Sequence, residues 1–210
     1  MGNHVNFTKG NRLAEITIII PHRKGERCDE ALISLSKQTF KDFITFTVED
    51  YEGKGAPYAR NRGFSMAPRS KYVLFSDNDI IWYENALEIL YKTLEKHPEA
   101  AYSYAGFIVY NRQLNQKIHY RTIDFDGELL KKGNYINTTS LIRWDDFPGF
   151  DENLKRLQDW ELWLRMLLSG KVGVSCGEEL FASIFKPGIS TGGDELLEQS
   201  EKYIKGKLNV

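Results

Sequence analysis

The chain has 210 residues, which fits one domain with room for a sizeable core. Its 28 basic and 29 acidic residues leave a net charge of −1, so nothing in the overall balance points to nucleic acid as a partner. The two cysteines, Cys28 and Cys176, form no C-x-x-C pair, which argues against structural zinc or a disulfide framework and suits a reducing cytosol.

The first clear element is Ile16-Thr17-Ile18-Ile19-Ile20, a β-branched run that reads as a buried strand stopping at Pro21. It is far too short to span a bilayer, and the polar stretch before it lacks a signal-peptide core, so membrane contact would be peripheral. Cys28, Ala31, Leu32 and Leu35 then recur at helical spacing. Ile44, Phe46 and Val48 alternate with threonines, giving a second strand that ends at Glu49-Asp50. After a Gly53-Lys54-Gly55 loop, Pro57 suits a first helical turn, and Ala59, Gly63, Met66 and Ala67 share one face up to Pro68. A strand from Tyr72 to Phe75 empties into Asp77-Asn78-Asp79. A helix with Leu87, Leu90, Tyr91 and Leu94 inward follows, then a strand from Ala101 to Tyr110.

This β-α-β-α-β-α-β order predicts an α/β fold with a mostly parallel central sheet flanked by helices. The second half is less regular. Asn111 to Gln116 reads as a hairpin turn before a strand from Lys117 to Tyr120. Asp126-Gly127 and Lys132-Gly133 read as punctuation. Strands are expected at Thr138–Trp144, Val172–Val174 and Leu180–Phe185. Trp160, Trp163, Leu164 and Leu167 predict a strong helix ending at Ser169-Gly170, and Leu196, Leu197, Ser200, Tyr203 and Ile204 a C-terminal one.

Three acidic groups attract attention. Carboxylates at i and i+2 leaving a strand end, as at Asp77 and Asp79, can share one hard cation, and such a cation commonly holds phosphate oxygens. Glu49-Asp50 would lie near them, at the sheet edge where α/β proteins bind ligands. Each also reads as a turn, because Asp and Asn side chains bond the local backbone. Asp159 opens a helix, where dipole stabilisation alone explains an acid. Arg60 reads as a solvated arginine or as a partner for phosphate or carboxylate. His4, His22, His97 and His119 have no metal-ligand spacing. There is no G-x-G-x-x-G, no Walker lysine loop and no G-x-S-x-G.

Several segments together resemble one family. Ile16–Lys24 (ITIIIPHRK) looks like the opening strand of family 2 glycosyltransferases, Ser34–Phe40 (SLSKQTF) like that family's S-x-x-x-Q-T/S-aromatic helix end, and Val48-Glu49-Asp50 like its Val-Asp-Asp. Ala59-Arg60-Asn61-Arg62-Gly63 matches A-R-N-x-G, and Tyr72–Asp79 matches the strand leading to Asp-x-Asp. Gly149-Phe150-Asp151-Glu152 matches G-F-D-E, Gln158–Arg165 (QDWELWLR) matches E-D-W/Y-D-L-W-x-R, and Lys186–Ser190 resembles the closing loop.

The resemblance implies a single GT-A domain over 15–192, with a nucleotide-binding half (15–110) and an acceptor half (111–192), between an N-terminal extension (1–14) and a C-terminal helix (193–210). It implies inverting transfer from a nucleotide-diphosphate sugar, with UDP-sugars the family habit, to a glycan or lipid-linked acceptor. In that scheme Pro21, His22, Arg23, Glu49 and Asp50 hold the base and ribose, Arg60 supports the nucleotide, and Asn78 lies among the donor contacts. Asp77 faces the ribose side and Asp79 binds Mg²⁺ or Mn²⁺, with Asp77 as a second metal candidate. Asp159 is the general base. The setting it implies is cytoplasmic, at the inner face of the membrane, with a peripheral membrane contact or a protein partner presenting the acceptor.

Three departures stand out: Glu49 for aspartate, Gln158 for the usual glutamate, and Lys186 for a histidine, where the lysine could contact the diphosphate itself. Two other functions remain open: a catalytically silent sugar-nucleotide or glycan-binding module, and a sugar nucleotidyltransferase, which would want more glycines after the first strand than Gly25 alone. Tyr120, Phe125 and Tyr135 are candidate sugar-stacking aromatics on the acceptor side, with core packing the competing role.

Overall fold

The computed structural model describes residues 14–111, 113–185 and 193–210. Its first three strands behave as their β-branched sequence dictates. β1 (Ile16–Arg23) pairs in parallel with β2 (Phe43–Asp50) on one side and β3 (Tyr72–Phe75) on the other. Ile16, Ile18, Ile19 and Ile20 are fully buried, because helices cover both faces of the sheet. The crossovers are α1 (Asp29–Ser36) and α2 (Ala56–Met66).

A short β4 (Ile80–Trp82) and α3 (Ala86–Lys96) lead to the long β5 (Ala100–Asn111), which turns back into β6 (Gln116–Tyr120). Then come α4 (Gly127–Lys132), β7 (Leu141–Arg143), a 3-10 turn at Trp144–Asp146, α5 (Gln158–Leu168), β8 (Val172–Ile184) and α6 (Asp194–Leu208). The eight strands run in the order β2-β1-β3-β7-β5-β8-β4, with β6 on β5. The α/β architecture is as expected, but the sheet is more mixed than the alternating pattern predicts. β7 enters between β3 and β5 and runs against both, and β4 and β6 are also antiparallel to their partners. β5 turns straight back into β6 with no helix between them, which gives the antiparallel pair.

Two cores result. One lies between the sheet and α2, α5 and α6, and holds Phe75, Phe150, Trp160 and Trp163. The other lies under α1 and α3 and holds Leu35, Leu87 and Trp82. α2 sits tightly on the sheet. A Cβ on Gly63 would come within 2.6 Å of the Ile19 side chain and 2.8 Å of Val48.

Several boundaries differ from expectation for identifiable reasons. β1 continues through Pro21, which pairs in register with Val48 but lies beyond the last β3 partner, Ile19↔Phe75. A missing N–H matters least where one side of the strand has no ladder. The two strands expected around 172–185 are one bulged strand, with register shifts against β5 near Gly106. The punctuation at Asp126 and Gly133 brackets α4, because the Asp126 side chain caps it through the Glu128 and Leu129 N–H groups. The expected strand from Thr138 shortens to Leu141–Arg143. Met66 is exposed instead of joining the buried face of α2. Both cysteines are free. Among the described residues no helix is long and apolar enough to cross a membrane.

Candidate functional site

The parallel strands β1, β2 and β3 all deliver their carboxyl ends to one edge of the sheet, the edge where open α/β sheets hold ligands. Register brings His22 opposite Glu49 and Arg23 opposite Asp50. Pro21 is buried, His22 half-buried and Arg23 exposed. Glu49 accepts the Gly25 N–H at 3.0 Å. The Tyr51 hydroxyl, followed by that N–H, holds the Glu49 carboxyl below its ordinary range. Tyr51 itself is exposed beside it. Asp50 is buried and turned inward, its two oxygens accepting the Lys54 and Gly55 N–H groups at 3.0 and 2.7 Å. It thereby shapes the loop that starts α2.

β3 ends at Phe75, and the Ser76 N–H bonds Ile19 O at 3.0 Å, so Asp77-Asn78-Asp79 leaves the sheet beside the β1 end. Asn78 donates to Arg27 O at 3.1 Å and to Glu26 at 3.3 Å, which ties this turn to the loop after β1. Asp77 and Asp79 are both half-exposed.

Arg60 is the centre of the cluster. It lies on the buried side of α2 with a side chain only 6 % exposed, donating to Asp77 Oδ1 at 2.6 Å and to Gln158 Oε1 at 3.1 Å. Its guanidinium carbon also stands 5.3 Å from the centre of the Phe150 ring. One planar group therefore joins the strand-end turn to the first residue of α5, a geometry that suits arginine and not lysine. Its Nε makes no hydrogen bond among the described residues.

Asp159 follows Gln158 at the start of α5. One of its oxygens accepts its neighbour's N–H, from Trp160, at 3.0 Å. Desolvation raises its carboxyl above the usual aspartate range, against the opposing pull of the Trp160 N–H, Arg60 and the Asn134 amide. The residue as a whole is of intermediate exposure. The residue before Gln158, Leu157, has φ 58 and ψ 29. That left-handed conformation costs a side-chain-bearing residue about 1–2 kcal/mol. The entry to the helix is held in place against strain.

The sequence-predicted residues thus fall into one region, with Arg60 bonded to Asp77 and to the residue beside Asp159. Lys186 lies outside the described residues. Among the three aromatics, Phe125 and Tyr135 pack on Tyr102 and Tyr104, while Tyr120 stacks on Phe107 and stays exposed. The geometry adds side chains that sequence reasoning did not assign. Asn61 exchanges hydrogen bonds with the Phe150 backbone, at 2.7 and 2.9 Å, and so fastens α2 to the Gly149–Glu152 turn. Gln158 and Asn134 frame Asp159. Arg60 and Gln158 are 98 positions apart, and no local pattern links them.

A divalent cation would find no cage of three or more His, Cys, Asp or Glu side chains among the described residues. Mg²⁺ seldom needs one, because it binds through one or two carboxylates and takes its other ligands from substrate phosphate and water. Asp77 and Asp79 are of that donor type, and Asp77 Oδ1 is held by Arg60.

The mixed α/β sheet with helices on both faces is a GT-A-type fold. The sequence model described as glycosyl transferase family 2 matches residues 18–154, and the chain belongs to that family. No curated protein matches the chain in sequence. Among solved structures, the 1–349 fragment of S. aureus TarS in complex with UDP-GlcNAc superposes with a TM-score of 0.67 at 15 % identity, over 92 % of this chain and 70 % of that one. The same fragment in complex with UDP gives a TM-score of 0.66 at 17 % identity, over 92 % and 65 %. Longer TarS gives 0.60 at 16 % identity, over 92 % of this chain and 39 % of its own. At such identities the likeness is one of fold, and the chain spans well under half of that longer protein.

Proposed function

We propose that this protein is an inverting glycosyltransferase that moves a sugar from a nucleotide-diphosphate sugar, of the UDP class, to a hydroxyl of a glycan or lipid-linked acceptor. One observation carries the reading: Arg60 is bonded at once to Asp77, at the strand-end turn, and to Gln158, the residue before Asp159. Single displacement needs a diphosphate anchor on one side of the sugar and a base on the other, and a joint between Asp77 and the start of α5 supports that arrangement.

In this reading Pro21, His22, Arg23 and Glu49 receive the base and ribose, while Asp50 supports that wall through its loop. Asp77 and Asp79 would hold Mg²⁺ or Mn²⁺, which neutralises charge growing on the departing diphosphate. Asp159 takes the acceptor's proton as the hydroxyl oxygen attacks the anomeric carbon. Burial serves this role, since a carboxylate with a raised pKa is a stronger base near neutral pH. TarS structures with UDP and UDP-GlcNAc support the donor class.

A thermal-shift series of nucleotide sugars with and without Mn²⁺ identifies the donor, because a ligand that binds only the folded state raises its apparent stability. An assay of the released product then decides the chemistry. Nucleoside diphosphate is expected. Pyrophosphate instead would establish nucleotidyl transfer, and binding without turnover would establish a silent module.

A further inference from the structure

Behind the site lies a group of charges that the proposed reaction does not use. Glu161 sits one turn into α5 with none of its side chain exposed, and Asp151 of the Gly149–Glu152 turn is 6 % exposed. Two carboxylates at this depth require cations. Arg165 supplies one, gripping both oxygens of Glu161 at 3.0 and 2.9 Å and the carbonyls of Pro148 and Gly149 at 3.1 and 2.5 Å. The other comes from α6. Lys207 Nζ lies 2.7 Å from Asp151 Oδ2 and 2.7 Å from Glu161 Oε1, and the Tyr203 hydroxyl donates to Asp151 Oδ2 at 2.9 Å.

A single ammonium therefore fastens both ends of the segment 151–161. Between those ends lie left-handed Leu157, Gln158 on Arg60, and Asp159. The residue before Asp151 is Phe150, whose ring faces the Arg60 guanidinium and whose backbone is held by Asn61. We propose that Lys207 is a positioning residue: from the C-terminal helix it closes the 151–161 segment into a ring and so sets where Asp159 meets the acceptor. A merely structural ion pair would stabilise the whole fold. This one is placed so that its loss is felt first in the strained entry to α5. The catalytic consequence rests on Asp159 being the general base, whereas the mechanical one does not.

The test compares wild type, Lys207→Met and Lys207→Arg by hydrogen exchange, donor binding and turnover on the same samples. In Lys207→Met, amide exchange across 151–161 is expected to rise by about tenfold or more while β1 stays protected. In the same variant kcat is expected to fall roughly ten- to hundredfold, as misplacement of a reacting group does. Donor affinity should hold within about threefold, since Lys207 bonds Asp151 and Glu161 and not the residues proposed to hold the donor. Lys207→Arg, which keeps a cation, should restore most of both. Unchanged exchange in 151–161, a rise spread equally over the β1 core, or local loosening with normal kcat would each overturn the proposal. If wild type transfers no sugar, the transferase reading fails, and the exchange pattern still decides whether Lys207 clamps the segment.

Discussion

The proposed donor edge and the helix that carries the proposed base meet at Arg60, but they are held in place by different forces. At the donor edge, strand register sets His22 opposite Glu49, and Asp77 follows two residues after the end of β3, in a turn tied to the loop after β1. The side chains there are largely half-exposed and bonded to nearby loop groups. At the base helix no strand sets the position of Asp159. A left-handed residue, buried ion pairs and a helix from the far end of the chain do so instead. The contrast suggests that substitutions at the edge act on binding and that substitutions around α5 act on turnover.

Asp159→Asn tests this most severely. Transfer should fall by about two to four orders of magnitude, the usual worth of a general base, with donor affinity nearly intact by calorimetry. Near-normal transfer would remove the base from α5 and with it the division between the two regions. Arg60→Met comes next, because it strikes the joint between them. Losing two charge-assisted hydrogen bonds should lower kcat/KM by roughly ten- to a thousandfold, with both donor affinity and kcat affected. Arg60→Lys should recover little, since one ammonium cannot bridge Asp77 and Gln158 in the same plane. A defect confined to donor affinity would show that Arg60 serves only the edge. Asp79→Ala should confine its effect to the edge, reducing Mn²⁺-dependent donor affinity by about tenfold while metal-free binding stays the same.

The same contrast explains what the sequence disclosed. Ile16–Ile20, the alternation from Ile44 to Val48 and Tyr72–Phe75 announce their strands through local periodicity, and the acids that end them follow automatically. Asp159 could be placed at a helix start from the Trp160, Trp163 and Leu164 spacing. Its restraints could not, because Lys207–Glu161, Tyr203–Asp151 and Arg60–Gln158 join residues with no periodic relation. The parallel expectation failed for a related reason. Whether β7 runs with or against β3 depends on how the long segment after β6 returns, and nothing in Leu141–Arg143 itself records that.

Gly63→Ala probes the edge from beneath. The added methyl would meet Ile19 and Val48 below 3.0 Å, inside two of the strands that carry the donor residues. Destabilisation of about 1–3 kcal/mol is expected from such overpacking, measured by urea unfolding. Because the strands move together, donor affinity should weaken more than kcat. An unchanged affinity would mean that β1 and β2 give way without moving their ends.

The smallest effects are electrostatic, and they have opposite signs on the two sides of α5. Burial raises the Asp159 carboxyl above its unfolded value, so its ionised form opposes folding at neutral pH. That cost is relieved as pH falls through the raised pKa, and with Asp159 as the proposed base, kcat is expected to fall over the same interval. Asp151 behaves in the other direction. Its carboxyl is lowered to about 2 despite desolvation, through Lys207, the Asn153 N–H and Tyr203. Its stabilisation is complete above the unfolded pKa of 3.8 and disappears as pH falls toward about 2. The shift corresponds to something on the order of 2 kcal/mol at neutral pH. Asp159→Asn should therefore unfold at a slightly higher temperature than wild type at pH 7, and Asp151→Asn at a lower one. The gap between the two variants should shrink as pH falls, because the cost at Asp159 is relieved through its raised pKa and the stabilisation at Asp151 is lost between 3.8 and about 2. A lower unfolding temperature for Asp159→Asn at pH 7 would mean that the ionised base is stabilised where it stands. Strain and ion pairing would then not be needed to hold it there.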